Sequence, residues 1–228
     1  MEVFESNLSN DMQMLSILLF ITCHRHSIDL QLALDSISVF APRIYQRLEV
    51  FVFNNNVNNT SVEQYLPHTK ITYVRTSIND GYQFGHLEAI HRMWSDISRY
   101  DVVIHQHPDV MWTPATQDIV MKSLAQNPNS AFLVSPYFTD DHAFFTDFFI
   151  FRPNLMHKSP FHPPWKRQYH NPPERALYVA AIKFEISLIT RRVNLSGERP
   201  DMLGLYHLNN DEEDRQRFKS YAESLRVL

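Results

Sequence analysis

The chain is predicted to fold as a single α/β domain, with a central, mostly parallel sheet flanked by helices and a helical segment at its C-terminal end. Largely apolar runs at residues 15–22, 48–53, 101–104 and 131–134 have the character of strands buried on both faces. Segments with helical spacing fall between them, so strands and helices alternate. At 228 residues, 44% hydrophobic and 20% charged, the chain is long and apolar enough for one substantial core.

The elements follow in order. The run at 15–22 breaks at Cys23-His24-Arg25-His26, and Ser27 can cap a helix carried by Ile28, Leu32, Ile37 and Phe40, with Pro42 closing it. The second strand, 48–53, ends in the asparagine-rich turn 54–59. A short helix at 61–66 and a third strand at 71–74 lead to Asn79-Asp80-Gly81. Phe84, Leu87, Ile90, Trp94 and Ile97 predict an amphipathic helix of about four turns. The fourth strand, within 100–107, runs into the polar segment 105–109. A helix at 116–125 and a fifth strand at 131–134 follow.

Beyond Pro136 the pattern changes. Residues 144–151 are aromatic and strand-like, and 153–173 hold six of the 13 prolines, which predicts a long functional loop. A helix opening at Asn171-Pro172-Pro173 is expected to run through Leu177, Ala181, Phe184 and Leu188. The last helix, 211–228, has acidic residues in its first turn. Its apolar stripe of Phe218, Tyr221, Ala222 and Leu225 packs on the domain or offers a contact to a partner or a second copy. The expected organisation is a loose leader at 1–13, a first half at 14–136 and a second half at 137–228.

Charge and composition exclude several classes. With 21 basic against 25 acidic residues, the net charge of -4 gives no bulk attraction for nucleic acid or an anionic membrane. The single cysteine, Cys23, excludes an intramolecular disulfide and a thiolate zinc site, which fits a reducing compartment. The longest apolar run is too short to span a bilayer, and the acidic start lacks the basic region of a signal peptide, so the expected location is cytoplasmic with no transmembrane segment.

Parallel sheets bind ligands at the carboxyl ends of their strands. Polar clusters stand there at 22–26, 54–56, 79–85 and 105–109. No glycine-rich dinucleotide fingerprint follows the first strand, and there is no P-loop. His107-Pro108-Asp109 puts an imidazole and a carboxylate two residues apart just after a buried strand, where both can point the same way. Such a pair suits a divalent ion, Mn²⁺ or Mg²⁺, that bridges a diphosphate. The same triplet also suits a plain polar turn. His105 shares its side of the strand and reads as structural.

At this point the chain resembles the GT-A glycosyltransferases, which have a Rossmann-like domain. The matching parts are a first strand with a polar end at 17–26, a second with a base-binding turn at 50–56, a glycine-containing helix start at 79–92, and a strand ending in Asp-x-Asp at 101–110. The likeness covers about two thirds of the chain by pattern order, and the motif's first acid is replaced by His107.

The resemblance implies a glycosyltransferase with a nucleotide-sugar donor, most often UDP-linked, and a glycan or other hydroxyl acceptor. It implies Asp109 as metal ligand, with His107 and, from the late segment Gly204-Leu205-Tyr206-His207, His207. Thr22, Arg25, Asn54 and Asn55 would contact base or phosphate, and Gly81 and Gly85 would lie beside the donor. Asp147, interrupting an aromatic run, would bind sugar hydroxyls or act as base. Glu174 occupies the place of the acid that deprotonates the acceptor, and also favours a helix N-terminus on its own account. The aromatic and basic loop at 161–169 would form an acceptor platform or lid.

Two alternatives stay open. A sugar nucleotidyltransferase needs a glycine-rich loop after the first strand, and residues 22–28 contain no glycine. A catalytically inactive carbohydrate- or partner-binding domain of the same fold is compatible with histidine at 107.

Overall fold

A computed structural model describes residues 15–23, 27–54, 71–75, 85–137, 140–161, 173–189, 204–208 and 212–226. The predicted leader, the helix at 61–66 and residues 162–169 of the loop predicted at 161–169 lie outside the described residues; Phe161, expected in that acceptor platform, is instead fully buried in the core.

The core element is β1 (Ile17–Cys23), buried at every position. It is flanked in parallel by β2 (Leu48–Asn54) on one side and β4 (Val102–Gln106) on the other, with β3 (Ile71–Arg75) parallel to β2. The alternation of β1 assigns its side chains to two layers. Ile17, Leu19 and Ile21 join the cluster that includes Leu30, Leu34 and Ile37 of α1 (Ser27–Phe40) and Val120 and Leu124 of α5 (Pro114–Gln126). Leu18 and Phe20 join the opposite cluster, with Leu87 and Ile90 of α3 (Gly85–Arg92) and Leu177 of α6 (Pro173–Ala181). A two-faced apolar strand is stable only between two helical layers, which is why the run reads as continuous.

The seven-stranded sheet has the order β10-β6-β9-β4-β1-β2-β3, where β6 is Phe132–Val134, β9 Phe148–Phe151 and β10 Ile186–Leu188. β9 is antiparallel to both neighbours, pairing its Ile150 with Ile104 of β4 and its Phe151 with Phe132 of β6. The sheet is therefore mostly parallel, and strands from after residue 137 lie inside it.

Several predicted elements change in detail. The helix expected over 84–97 divides into α3 and α4 (Trp94–Ile97), because Met93 between them takes φ −89° and ψ 10°. Pro42 opens its own short helix, α2 (Pro42–Tyr45), as its fixed φ allows at a first turn. The polar segment after β4 is followed by a short strand, β5 (Val110–Trp112), and the aromatic run begins at the end of β8 (Asp140–Phe144) and continues in β9, with β7 (Pro136–Tyr137) paired to β8. The helix after the proline-rich loop ends at Ala181 rather than reaching Leu188, since residues 186–188 pair in parallel with β6 at the sheet edge. That edge favours β-branched Ile186 over helix continuation.

The last helix, α7 (Glu212–Arg226), packs Phe218, Tyr221, Ala222 and Leu225 against Ala33 and Phe40 of α1 in one cluster, so the stripe offered as a partner contact is covered by the chain's own domain. Arg215 grips Asp29 of α1 with two nitrogens, and Asp29 is 1% exposed. Among the described residues no helix is long and apolar enough to cross a membrane.

Arg152, 6% exposed, sits beyond the C-terminal end of α5 and donates to the carbonyls of Leu124, Asn127 and Ser130 at 2.8–2.9 Å. It satisfies acceptors left without partners by the helix end. Arg152→Met keeps the stem but removes the donors, and is expected to lower the urea unfolding midpoint by the equivalent of roughly 2–3 kcal/mol.

Candidate active site at the carboxyl end of the central strand

The site is built on the turn that follows β4. Alternation along β4 aims His105 at the α3 layer and Gln106 at the α1 layer. Gln106, fully buried, accepts from Trp112 Nε1 at 2.8 Å and donates to the Val110 carbonyl at 3.3 Å. One amide thus braces the turn His107-Pro108-Asp109 from behind. Trp112 is held in turn by the Ser36 hydroxyl of α1, which accepts its backbone N–H at 2.9 Å.

Two antiparallel ladders bring distant residues to this turn. The β4–β9 register pairs Gln106 with Phe148, and its next step sets Asp147 opposite His107. The His107 N–H donates to the Asp147 carbonyl at 2.9 Å, and His107 Nδ1 lies 3.0 Å from Asp147 Oδ1. The second ladder joins β5 to β11 (Leu205–His207), and the Leu208 N–H donates to the Asp109 carbonyl at 3.0 Å. It places His207 Nε2 3.4 Å from Asp109 Oδ2 and 3.9 Å from Asp147 Oδ2.

Gly204 begins that ladder close to α5. Its carbonyl accepts from Thr116, and a Cβ at this position would lie 2.6 Å from Ile119 Cδ1. Tyr206, on β11 and packed with Phe218 of α7, donates to Asp214, which also accepts from Arg217 at 2.7 Å.

Predicted site residues thus fall into three sets. Asp109, His107, His207 and Asp147 come together, and Glu174, in the first turn of α6, is near enough for its charge to act on His107. Thr22 is 6% exposed and pairs with His105 Nε2 at 3.1 Å, Asn54 is fully buried at the end of β2, and Gly85 opens α3. Arg25, Asn55 and Gly81 lie outside the described residues.

One site residue was not assigned from the sequence. His86 of α3 is 3% exposed, and its ring stands 5.1 Å from that of His107 and 5.6 Å from that of His105. The glycine pair Gly81 and Gly85 marked its neighbourhood but not the side chain.

Electrostatics separate these groups. Burial, reinforced by the His107 charge, holds His86 and His105 well below the ordinary imidazole range. Burial also opposes charge on His107, but the Asp147 hydrogen bond and the charges of Asp147, Asp109 and Glu174 outweigh it and push His107 upward. Asp147 is held well below the usual carboxylate range, because the His107 hydrogen bond and charge, with His207 and His86, overcome its burial. Glu174 is pushed up by burial and by the Asp147 charge. Burial and Asp109 push the Cys23 thiol far up, so it stays protonated and inert.

Solved structures share this fold. The galactosyltransferase LgtC, solved with donor and acceptor sugar analogs, superposes with a TM-score of 0.57 at 11% identity, covering 91% of this chain and 95% of that one. The chain has the GT-A fold. This GT-A domain also matches TarS of S. aureus, residues 1–349, at TM-score 0.52 and 13% identity over 78% of this chain and 59% of that one. A mannosyltransferase of Pyrobaculum calidifontis, in complex with GDP-Man and Mn²⁺, matches at TM-score 0.50 and 11% identity over 86% of this chain. The GT-A domain spans 65% of the length of that mannosyltransferase and 59% of TarS, less than two thirds of each. No protein-family profile matches the chain. No curated protein matches it by sequence.

The depressed histidines make folding pH-dependent with a definite sign. In the unfolded chain His86 and His105 take up protons below about pH 6.5, whereas in the folded domain they do not. The unfolded state then binds more protons, so stability falls as the pH drops through that window. His107 has the opposite sign and acts above it: its stabilisation is full below the unfolded value and is lost as pH rises through the raised folded value. The melting temperature is expected to fall between about pH 7 and about pH 5.5. His105→Phe, which keeps a ring between Phe20 and Phe149, is expected to flatten that slope.

Proposed function

We propose that this chain transfers a glycosyl group from a nucleotide-diphosphate sugar, UDP-linked on the resemblance, to a hydroxyl of a glycan or other acceptor. The observation that carries this reading is the convergence of Asp109, His207, His107 and Asp147 at one carboxyl strand end of a GT-A sheet. Open sheets of this kind bind ligands at that edge.

The donor set bears on a metal ion in two ways. Among the described residues no group of three or more His, Cys, Asp or Glu side chains is arranged to hold one unaided. His107 has its Nδ1 engaged by Asp147. Asp109 and His207 nonetheless fit a divalent ion in donor type, and Asp109 Oδ1 is buried with no hydrogen-bond partner among the described residues. Asp109 and His207 are the residues that would hold Mn²⁺ or Mg²⁺. A bound ion would supply positive charge to the diphosphate leaving group.

The other roles follow from the chain's own groups. Asp147, tied to His107 and held ionised, has low proton affinity and suits hydrogen bonds to sugar hydroxyls better than proton abstraction. Glu174, half-buried with a raised pKa, suits the general base for an acceptor hydroxyl in an inverting reaction. On the donor side, Asn54 and Gly85 stand at the neighbouring strand and helix ends, with Thr22 paired to His105.

Calorimetric titration of UDP-glucose and GDP-mannose, with and without Mn²⁺, tests the reading. Donor binding strengthened by Mn²⁺ is expected, and Asp109→Asn is expected to lose the Mn²⁺-dependent part while keeping the melting temperature. A folded sample that binds no nucleotide sugar under either condition removes the proposal.

Glu174 gives a kinetic test. The base must be ionised to act, so the acid limb of kcat/KM is expected above the ordinary glutamate value of 4.5, rate rising with pH through it. Glu174→Gln is expected to abolish that limb and lower the rate by roughly 10²–10⁴-fold.

A further inference from the structure

His86 Nε2 is buried, and no hydrogen-bond partner for it exists among the described residues. A buried nitrogen left unpaired is costly, and native sites carry that cost where a ligand completes the bond. The ring is not loosely placed. It is packed against His105 at 5.6 Å and meets His107 edge-on at 5.1 Å, in the same cluster that holds Asp147. Asp109 Oδ1, at the same strand end and on a different element, is likewise buried without a partner among those residues. Two buried, unsatisfied polar atoms therefore belong to residues of this end of the sheet, one on α3 and one after β4.

We infer that His86 is a direct ligand for a hydroxyl group of the sugar that is transferred. This rests on the glycosyltransferase reading and deepens it. The surroundings select the chemistry. The charge effects on the ring oppose one another, His107 against the carboxylate of Asp147, and that of His107 is the larger. Burial keeps the imidazole uncharged, so it adds no attraction for an anion. A hydroxyl can both donate and accept, and so satisfies Nε2 in either tautomer of a neutral imidazole.

The test compares each nucleotide sugar with its own nucleotide. UDP, UDP-glucose, UDP-galactose, GDP and GDP-mannose are titrated calorimetrically, with Mn²⁺, into the full chain and into His86→Ala and His86→Gln. For whichever nucleotide sugar the unsubstituted chain binds, His86→Ala is expected to weaken binding about tenfold while leaving the free nucleotide unchanged. His86→Gln, which returns a polar group near Nε2, is expected to recover part of the loss. Equal losses for sugar nucleotide and nucleotide would overturn the inference, since they mean a diphosphate contact or a structural role. No loss for either overturns it as well, and leaves the glycosyltransferase reading standing. If the folded, unsubstituted chain binds none of these probes, both readings fall together. Circular dichroism checks folding, and should His86→Ala not fold, His86→Gln carries the comparison.

Discussion

The seating of Phe148–Phe151 as an antiparallel strand between β4 and β6 is the constraint on which the site depends. A parallel neighbour would carry the chain past the carboxyl edge of the sheet in the same direction as β4. An antiparallel one enters at that edge, so the residue just before it must lie opposite the residue just after β4. That residue is Asp147, and its partner is His107. The ladder is secured by burial of every residue of β9, with Phe149 and Phe151 in one helical layer and Phe148 and Ile150 in the other. Burying side chains of this size contributes roughly 1.5–3 kcal/mol each, far more than the ion pair at its end.

A second, smaller ladder delivers His207, and it has little core of its own. β5 and β11 pair over three residues each, so their position relies on neighbours. Trp112 is fixed by Gln106 and Ser36, and Tyr206 by Asp214 of α7. α7 is held to α1 by the Arg215–Asp29 pair and by the contacts of Phe218. The C-terminal helix thereby supports a side chain at the site without reaching it. Asp214 Oδ1 accepts from both Tyr206 and Arg217, so a single carboxylate oxygen ties β11 to the helix.

The site also sorts similar side chains into different states. Three histidine rings lie within 5.1–5.6 Å of one another, yet only His107 faces carboxylates closely enough to be pushed toward the charged form. Its charge then helps depress the other two. Asp147 and Glu174 diverge for the corresponding reason, one hydrogen-bonded to His107 and the other raised by burial and by the Asp147 charge. Neighbouring groups of one type with separated proton affinities are the raw material of acid–base and binding sites.

The order of elements was legible because burial on two faces and helical spacing leave local marks: β1, β2, α1 and α7 follow from their own residues. The turn His107-Pro108-Asp109 was legible as a polar strand end for the same reason. The short strands β5 and β10 were not, since three residues hold too little pattern to show a period and form only where a partner edge waits. Resemblance to a known pattern named Asp147 and His207 as candidates, but nothing local says that one meets His107 and the other Asp109. Those meetings depend on the registers of two antiparallel ladders between segments far apart in the chain, and on His86 turning inward from a helix whose face is set by packing. Sequence by itself determined the longer strands and helices and where a polar edge would stand. The tertiary structure decided which side chains share that edge, because register and layer packing are properties of pairs of elements and not of either one alone.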